Sequence, residues 1–509
     1  MSISAHARTK LASWIACVGS LDPEAPELEF EGQWRSWREL TDASAALLVL
    51  LDEAGIPAGT RIGVLLRNRG AIVPVLLALF TGDRCLASIN AAAPDDKLAD
   101  DVRRATVPVL VALEEDWQRP GIREAAAETG VIGIVLAGDG TVRLLDGLPG
   151  DPALWTNPSA EGVAIEMLSS GTTGTPKRIP LSARKFEHAL IGAAGFEKGR
   201  DGMSDFRLRS GVQIVFAPLA HIAGITGLMN NLLAGRKICL VERFTVDAFR
   251  DAVSRHSPKV VTAPPAALRM VLDADIPAEE LSSLTAWRSG TAPLDPDHAD
   301  AMYERYGIPV LQNYGATEFA GGVAGWTMDD FKAHRKDKRG SVGRVNKGIE
   351  ARIVDPETGD ELPAGDTGLL ELRGGNVAAG GEWTRTNDLA SLDADNFLWI
   401  RGRHDGAIIR GGFKILPDDV IRAMELHPAI REAAVTGVAD ARLGQVPVAA
   451  YVAKRGCVSP SDEDLKAFLK ERLMPYQVPV RILQLDDFPR TPSMKVSQPA
   501  LKELFEAAG

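Results

Sequence analysis

Cysteine is scarce in this chain. Of 509 residues only Cys17, Cys85, Cys239 and Cys457 carry thiols. Their wide spacing fits neither a CxxC zinc pattern nor a disulfide framework, so four reduced thiols in a reducing compartment are expected. An excess of positive charge is also missing. Lys and Arg number 57 against 68 Asp and Glu, a net charge of −11, which argues against a nucleic-acid partner. Anionic small ligands stay open, because local backbone dipoles bind phosphate even in an acidic protein. Long apolar runs are lacking too. The longest near the N-terminus, Ala71 to Phe80, is far short of the ~20 residues that span a bilayer. The first twenty residues lack the apolar centre of a signal peptide. The expectation is a soluble cytoplasmic protein without a transmembrane segment.

What is present is an ordinary globular mixture, 45% apolar and 25% charged, long enough for roughly three domain-sized units at ~150 residues each. No internal repeat or low-complexity tract is evident. Over the first ~150 residues helical and strand-like patterns alternate, as in an α/β chain. Strands are expected at 61–66, 131–136, 164–168, 211–216 and 259–262, and helices at 72–80 and 245–254. After residue 341 short, alternating, Gly-punctuated runs, such as 350–354 and 368–374, read as antiparallel strands or a small barrel. A further change comes near 401–406. It is followed by a helix at 418–426, strands at 433–438 and 446–453 and a helix at 461–473, where Ser461 is the N-cap and acids fill the first turn.

Four motifs could carry chemistry. In the first, a strand runs into Ser169, Ser170, Gly171, Thr172, Thr173, Gly174, Thr175, Pro176 and Lys177. Glycines let backbone N–H groups converge, hydroxyls add donors and the lysine adds charge, which together suit a polyphosphate. The spacing is not GxxxxGK[ST]. The second is Asn313, Tyr314, Gly315, Ala316, Thr317 and Glu318: a flat ring for a base, a donor, and a hard oxygen ligand for Mg²⁺. The third pairs Asp388, a carboxylate able to take both ribose hydroxyls, with Arg403. The fourth is Lys495 in a Pro/Ser-rich loop near the C-terminus. Taken singly, each reads more readily as a surface loop, a strand end, a turn acid or a solvated tail lysine than as a site.

In combination, their order and spacing resemble the adenylate-forming superfamily of acyl-CoA synthetases, peptide-synthetase adenylation domains and luciferases, most closely the acyl- or aryl-CoA ligases. The resemblance runs from about residue 10 to 505. It implies an α/β fold: a large N-terminal domain, 1–402, of two α/β subdomains plus a small β-barrel, and a small mobile α+β C-terminal domain, 403–509, with a hinge near Asp405. It also implies an AMP-forming acid–thiol ligase that uses ATP, Mg²⁺ and coenzyme A. Under that resemblance the 169–177 loop holds the β- and γ-phosphates, Thr317 the α-phosphate and Glu318 the Mg²⁺. Tyr314 packs on adenine, with Gly290, Thr291, Ala292 and Pro293 on the other side. Asp388 and Arg403 hold the ribose, and Lys495 bridges the carboxylate and the α-phosphate. Gly411 and Gly412 let a pantetheine arm pass.

His221 resembles the family's gate beside the acyl carboxylate; the alternative is a structural histidine. Amino-acid adenylation domains carry an Asp here, whereas no acid lies between Val212 and Leu233. A buried ammonium would lack a partner, so the expected substrate is a fatty or aromatic acid without an α-amino group. Ala320, Gly321, Gly322 and Ala324 could leave room for its tail. Competing readings are an acyl-AMP ligase that loads a carrier-protein phosphopantetheine, and a non-catalytic nucleotide- or acyl-binding homologue. The chain departs from the family pattern at Asn387 and Met494, where Gly is usual, at Arg178, and at Val496 to Pro499, where basic residues are usual.

Overall fold

The computed structural model describes residues 9–155, 158–169, 177–195, 203–204, 206–377, 381–404, 406–411, 413–440, 442–491 and 494–507. Two compact units emerge. The described residues of one lie within Met1–Ser170, Pro176–Ile349 and Arg373–Glu382; those of the other are mainly Glu350–Leu372 and Trp383–Gly509.

The first unit contains two sheets. Seven strands run in the order Val142–Pro149, Ile132–Leu136, Val109–Leu113, Arg61–Leu66, Cys85–Asn90, Val163–Ser169 and Lys177–Ser182. The inner five are parallel and the two edge pairs antiparallel. The Arg61–Leu66 strand is buried at all six positions, as befits a strand covered by helices on both faces. The second sheet has nine strands, with a parallel centre that includes Arg209–Val215, Val260–Thr262, Ala286–Ser289 and Val310–Ala316. One apolar cluster joins both sheets. It includes Ile62 and Val64 of the first, Ile238 and Leu240 of the second, and the helix Ile72–Thr81. That helix is buried from Ile72 to Phe80, so its uniformly apolar sequence is that of a core helix.

The second unit holds a four-stranded sheet, Glu350–Val354, Thr367–Arg373, Thr384–Leu392 and Leu398–Arg403 in sequence order, where the sequence patterns pointed to antiparallel strands or a barrel. It also holds a five-stranded sheet built on the long hairpin Ile430–Asp440 and Gly444–Ala453. Two helices flank that hairpin's sequence, Pro417–Glu425 and Asp462–Lys470, the latter capped by Ser461. Among the described residues no helix is long and apolar enough to cross a membrane.

Candidate active site

In the first unit, strand Val163–Ser169 pairs antiparallel with Lys177–Ser182, and Ser169 stands opposite Lys177. Lys177 therefore begins a strand, and residues 170–176 join the two arms of a hairpin. Ser170, Gly171, Thr172, Thr173, Gly174 and Thr175 lie outside the described residues, as does the side chain of Ser169. A buried ion pair anchors the hairpin's base. Arg61 meets Glu166 through Nη2–Oε2 at 2.6 Å and through Nε to both oxygens at 3.0 Å. The departure at Arg178 has a structural reason: its guanidinium donates to the Ser88 carbonyl at 3.1 Å. Burial pushes its pKa below the ordinary arginine value, with Glu166 opposing.

The Val310–Ala316 strand ends in a short turn, Thr317–Phe319, followed by Ala320 at φ +57°. Three successive carbonyls of this segment accept side-chain hydrogen bonds from three other elements. Lys185 Nζ donates to Glu318 O at 2.8 Å, Asn376 Nδ2 to Phe319 O at 2.5 Å, and Thr226 Oγ1 to Ala320 O at 3.1 Å. The backbone is thus fixed from outside, while the Glu318 side chain is left exposed and Thr317 and Tyr314 half-exposed. A carboxylate held that way fits a Mg²⁺ ligand, since this ion keeps waters and takes few protein oxygens. Burial lowers the Lys185 pKa and the Glu318 carboxylate opposes that shift.

Gly315 and Gly290 share one reason for lacking a side chain. A Cβ on Gly315 would sit 2.2 Å from Gly321 O, and one on Gly290 would sit 2.1 Å from Asn313 Oδ1. The structure therefore brings the 290–293 turn against Asn313, beside Tyr314. Thr291 is exposed and takes φ +72°, a conformation that costs an L-residue about 1 kcal/mol. Ala292 is half-exposed and Pro293 exposed.

His221 is the N-cap of helix Ile222–Leu233 and is half-exposed. Its segment is held by Asn68, whose Oδ1 accepts from Leu219 N at 2.8 Å while Nδ2 donates to Ala217 O at 3.2 Å and Val241 O at 3.0 Å. Of the four small residues expected to make room for a tail, Ala320 and Ala324 are buried in packing. Gly321 and Gly322 are the accessible pair.

In the second unit, Asp388 and Arg403 are direct partners across antiparallel strands, which puts both side chains on one face. Asp388 is half-exposed and Arg403 exposed. Asn387 has no positive φ, so its replacement of Gly brings no strain. Burial raises the Asp418 pKa; Arg422 opposes, and Asp419 and Asp388 add to the rise. Lys495 keeps an exposed side chain, yet desolvation and then the Arg403 guanidinium lower its pKa. The residues expected at the ribose and at the acyl-phosphate junction thus influence one another's charge.

Lys495 closes a tight turn. Thr491 N donates to Lys495 O and Met494 N to Thr491 O, both at 2.8 Å, and Arg490 Nη1 donates to Met494 O at 3.2 Å. Met494 takes φ +63°, the conformation for which glycine is the unstrained choice. Val496 packs on the apolar cluster around Phe488 and Leu501, and Ser497 O accepts from Leu501 N at the head of the last helix. The residues standing where basic ones are usual therefore have packing and capping roles. Gly411 is exposed at φ +56° between strands Ile408–Arg410 and Phe413–Ile415. Asp405 and Gly412 lie outside the described residues.

With this geometry in view, comparison with known proteins is decisive. The AMP-binding enzyme family matches residues 18–380, and its C-terminal domain matches 422–495. The chain belongs to the AMP-binding enzyme family. Among relatives of this family member, a 2-succinylbenzoate–CoA ligase of Geobacillus kaustophilus (strain HTA426) is 29% identical, over 98% of this chain and 98% of the relative. A 4-coumarate–CoA ligase 3 of Oryza sativa subsp. japonica is 28% identical, over 94% of this chain and 88% of the relative. A solved structure of an ATP-bound RpMatB-BxBclM chimera superposes with a TM-score of 0.83 at 25% identity, covering 98% of this chain and 99% of that one. The expected superfamily and fold class are borne out. Asn68, Lys185, Thr226 and Asn376 are the positioning residues that sequence reasoning missed.

Proposed function

We propose that this AMP-forming acid–CoA ligase, which uses ATP, Mg²⁺ and CoA, acts on an aromatic carboxylic acid without an α-amino group. The observation that carries the substrate reading is that helix Ile222–Leu233, which starts at His221, bears no acidic side chain. An ammonium there would have no carboxylate to pair with. The accessible Gly321 and Gly322 support a flat, bulky tail, and the relatives named for 2-succinylbenzoate and 4-coumarate support the aromatic class.

In this reading, residues 169–177 hold the β- and γ-phosphates, and Tyr314 and the 290–293 turn hold adenine. Asp388 and Arg403 take the ribose hydroxyls, and Thr317 donates to the α-phosphate. Glu318 would hold Mg²⁺, which would neutralise phosphate charge. Lys495 places a cation between two anions that must meet, so its contribution is charge stabilisation and positioning. His221 stands at the entrance for the carboxylate. Rotation of the residues after Asp405 then exchanges Lys495 for the hairpin carrying Gly411 and Gly412, which admits the thiol. Asp405→Pro is expected to retain acyl-AMP formation and lose thioester formation; equal loss of both half-reactions contradicts a hinge there.

The substrate reading is tested by a pyrophosphate-release screen over short, medium and long fatty acids, aromatic acids and amino acids, with CoA present. Aromatic acids are expected to give the highest kcat/KM. A higher value for any amino acid or long-chain fatty acid contradicts the reading.

A further inference from the structure

The nine-stranded sheet carries a second cluster of chemically capable side chains, none of them used above. Glu29 and Cys239 are register partners on the adjacent parallel strands Pro26–Phe30 and Arg236–Leu240. His256 is the last residue of helix Val246–His256. One carboxylate oxygen, the thiol sulfur and one imidazole nitrogen all lie within 4.8 Å of one another. Glu29 is 1% and Cys239 2% exposed, and the His256 side chain is 9% exposed.

An ion pair alone explains part of this arrangement. Arg255 pairs with Glu29 Oε1 and, through Nε, with Asp251 Oδ2 at 2.8 Å. That pair requires neither a thiol nor an imidazole. Yet Glu29 Oε2 faces His256 Nε2, and Cys239 sits where burial, and then the Glu29 carboxylate, push its thiol up to about 12.

We propose that Glu29, Cys239 and His256 bind a single Zn²⁺ ion. Thiolate, imidazole and carboxylate are the donors this borderline-soft cation takes. Zn–S near 2.3 Å and Zn–N near 2.0 Å put tetrahedral ligands roughly 3.5 Å apart, so the three donors, all within 4.8 Å of one another, rearrange by about 1 Å, with Glu29 Oε2 and His256 Nε2 moving apart. Arg255 Nη1 touches both Glu29 Oε1 and His256 Nε2, so the guanidinium leaves both as the ion enters and swings toward solvent and Asp251, which its Nε already contacts. The charges balance: Glu29, Asp251 and the Cys239 thiolate supply three negative charges, Zn²⁺ and Arg255 three positive. Binding breaks the S–H bond, forms Zn–S and releases one proton to solvent, so affinity rises with pH.

The test uses the full chain carrying Cys17→Ser and Cys457→Ser, which remove the two exposed thiols. After treatment with chelator it is titrated with Co²⁺ and with Zn²⁺. One equivalent of Co²⁺ is expected to give a thiolate-to-cobalt charge-transfer band that Zn²⁺ abolishes, and Zn²⁺ titrations in two buffers should show release of one proton per ion. Adding Cys239→Ser should remove the band and weaken Zn²⁺ at least tenfold, and His256→Gln should weaken Zn²⁺ as much. Failure of the parent protein to give a one-equivalent thiolate band, or survival of that band in Cys239→Ser, overturns the proposal. The parent titration decides even if a variant does not fold.

Discussion

Two turns present the residues proposed to handle phosphate charge, and they are built on opposite plans. The 317–320 turn is held from outside: Lys185, Asn376 and Thr226 each fix one of three consecutive carbonyls. The 491–495 turn is held mostly from within, by its own backbone and by Arg490, with Met494 in a left-handed conformation and Lys495 exposed. A floor that must present Thr317 and Glu318 in one geometry gains from external ties, because misplacement by about 1 Å already costs rate. A lysine proposed to serve only one of two half-reactions would gain from a turn that keeps its own shape.

The contrast can be broken at either turn. The largest effect is expected for Lys495→Ala, which should lower acyl-AMP formation by about 10²–10³-fold, the scale for losing one donor at a developing charge. Next comes the pH profile. Lys495 contributes only when protonated, and its pKa is lowered by desolvation and Arg403. The adenylation rate should therefore fall as pH rises through a value below the ordinary ~10.4 of lysine. Lys495→Arg should move that limb to higher pH; an unmoved limb assigns it to another group. Third, Asn376→Ala and Thr226→Val each remove one tie, worth about 1 kcal/mol. Each should slow adenylation roughly fivefold and leave thiolysis of supplied acyl-AMP within about twofold. Equal slowing of both half-reactions would mean that the ties serve the whole unit and not the turn. The smallest effect is expected for Met494→Gly, which relieves about 1 kcal/mol of backbone strain. It should leave adenylation within about twofold and raise the chemical-denaturation midpoint slightly; a large loss of rate would show that the methionine side chain itself positions Lys495.

Much of this plan was legible in the sequence. The all-apolar stretch at 72–80 could only be a core helix or a short buried run, and Ser461 with its acidic first turn marked a helix start that the structure keeps. The site motifs were legible because each is contiguous. The ties were not. Lys185 reaches Glu318 across 133 positions, Thr226 reaches Ala320 across 94, and Asn68 reaches Leu219 across 151. Lys, Thr and Asn in a helix or after a strand look like ordinary polar residues until the fold brings a carbonyl to them. In the sequence Lys177 looks like the end of a loop, because the pairing of Ser169 with Lys177 appears only when both arms of the hairpin are in place.

The central claim is that one lysine serves one half-reaction. It is tested most directly by measuring, in the same Lys495→Ala preparation, carboxylate-dependent exchange of label between pyrophosphate and ATP, and CoA-dependent consumption of supplied acyl-AMP. The account predicts that exchange is lost while thiolysis proceeds near the parent rate; exchange at the parent rate, or equal loss of both, contradicts it.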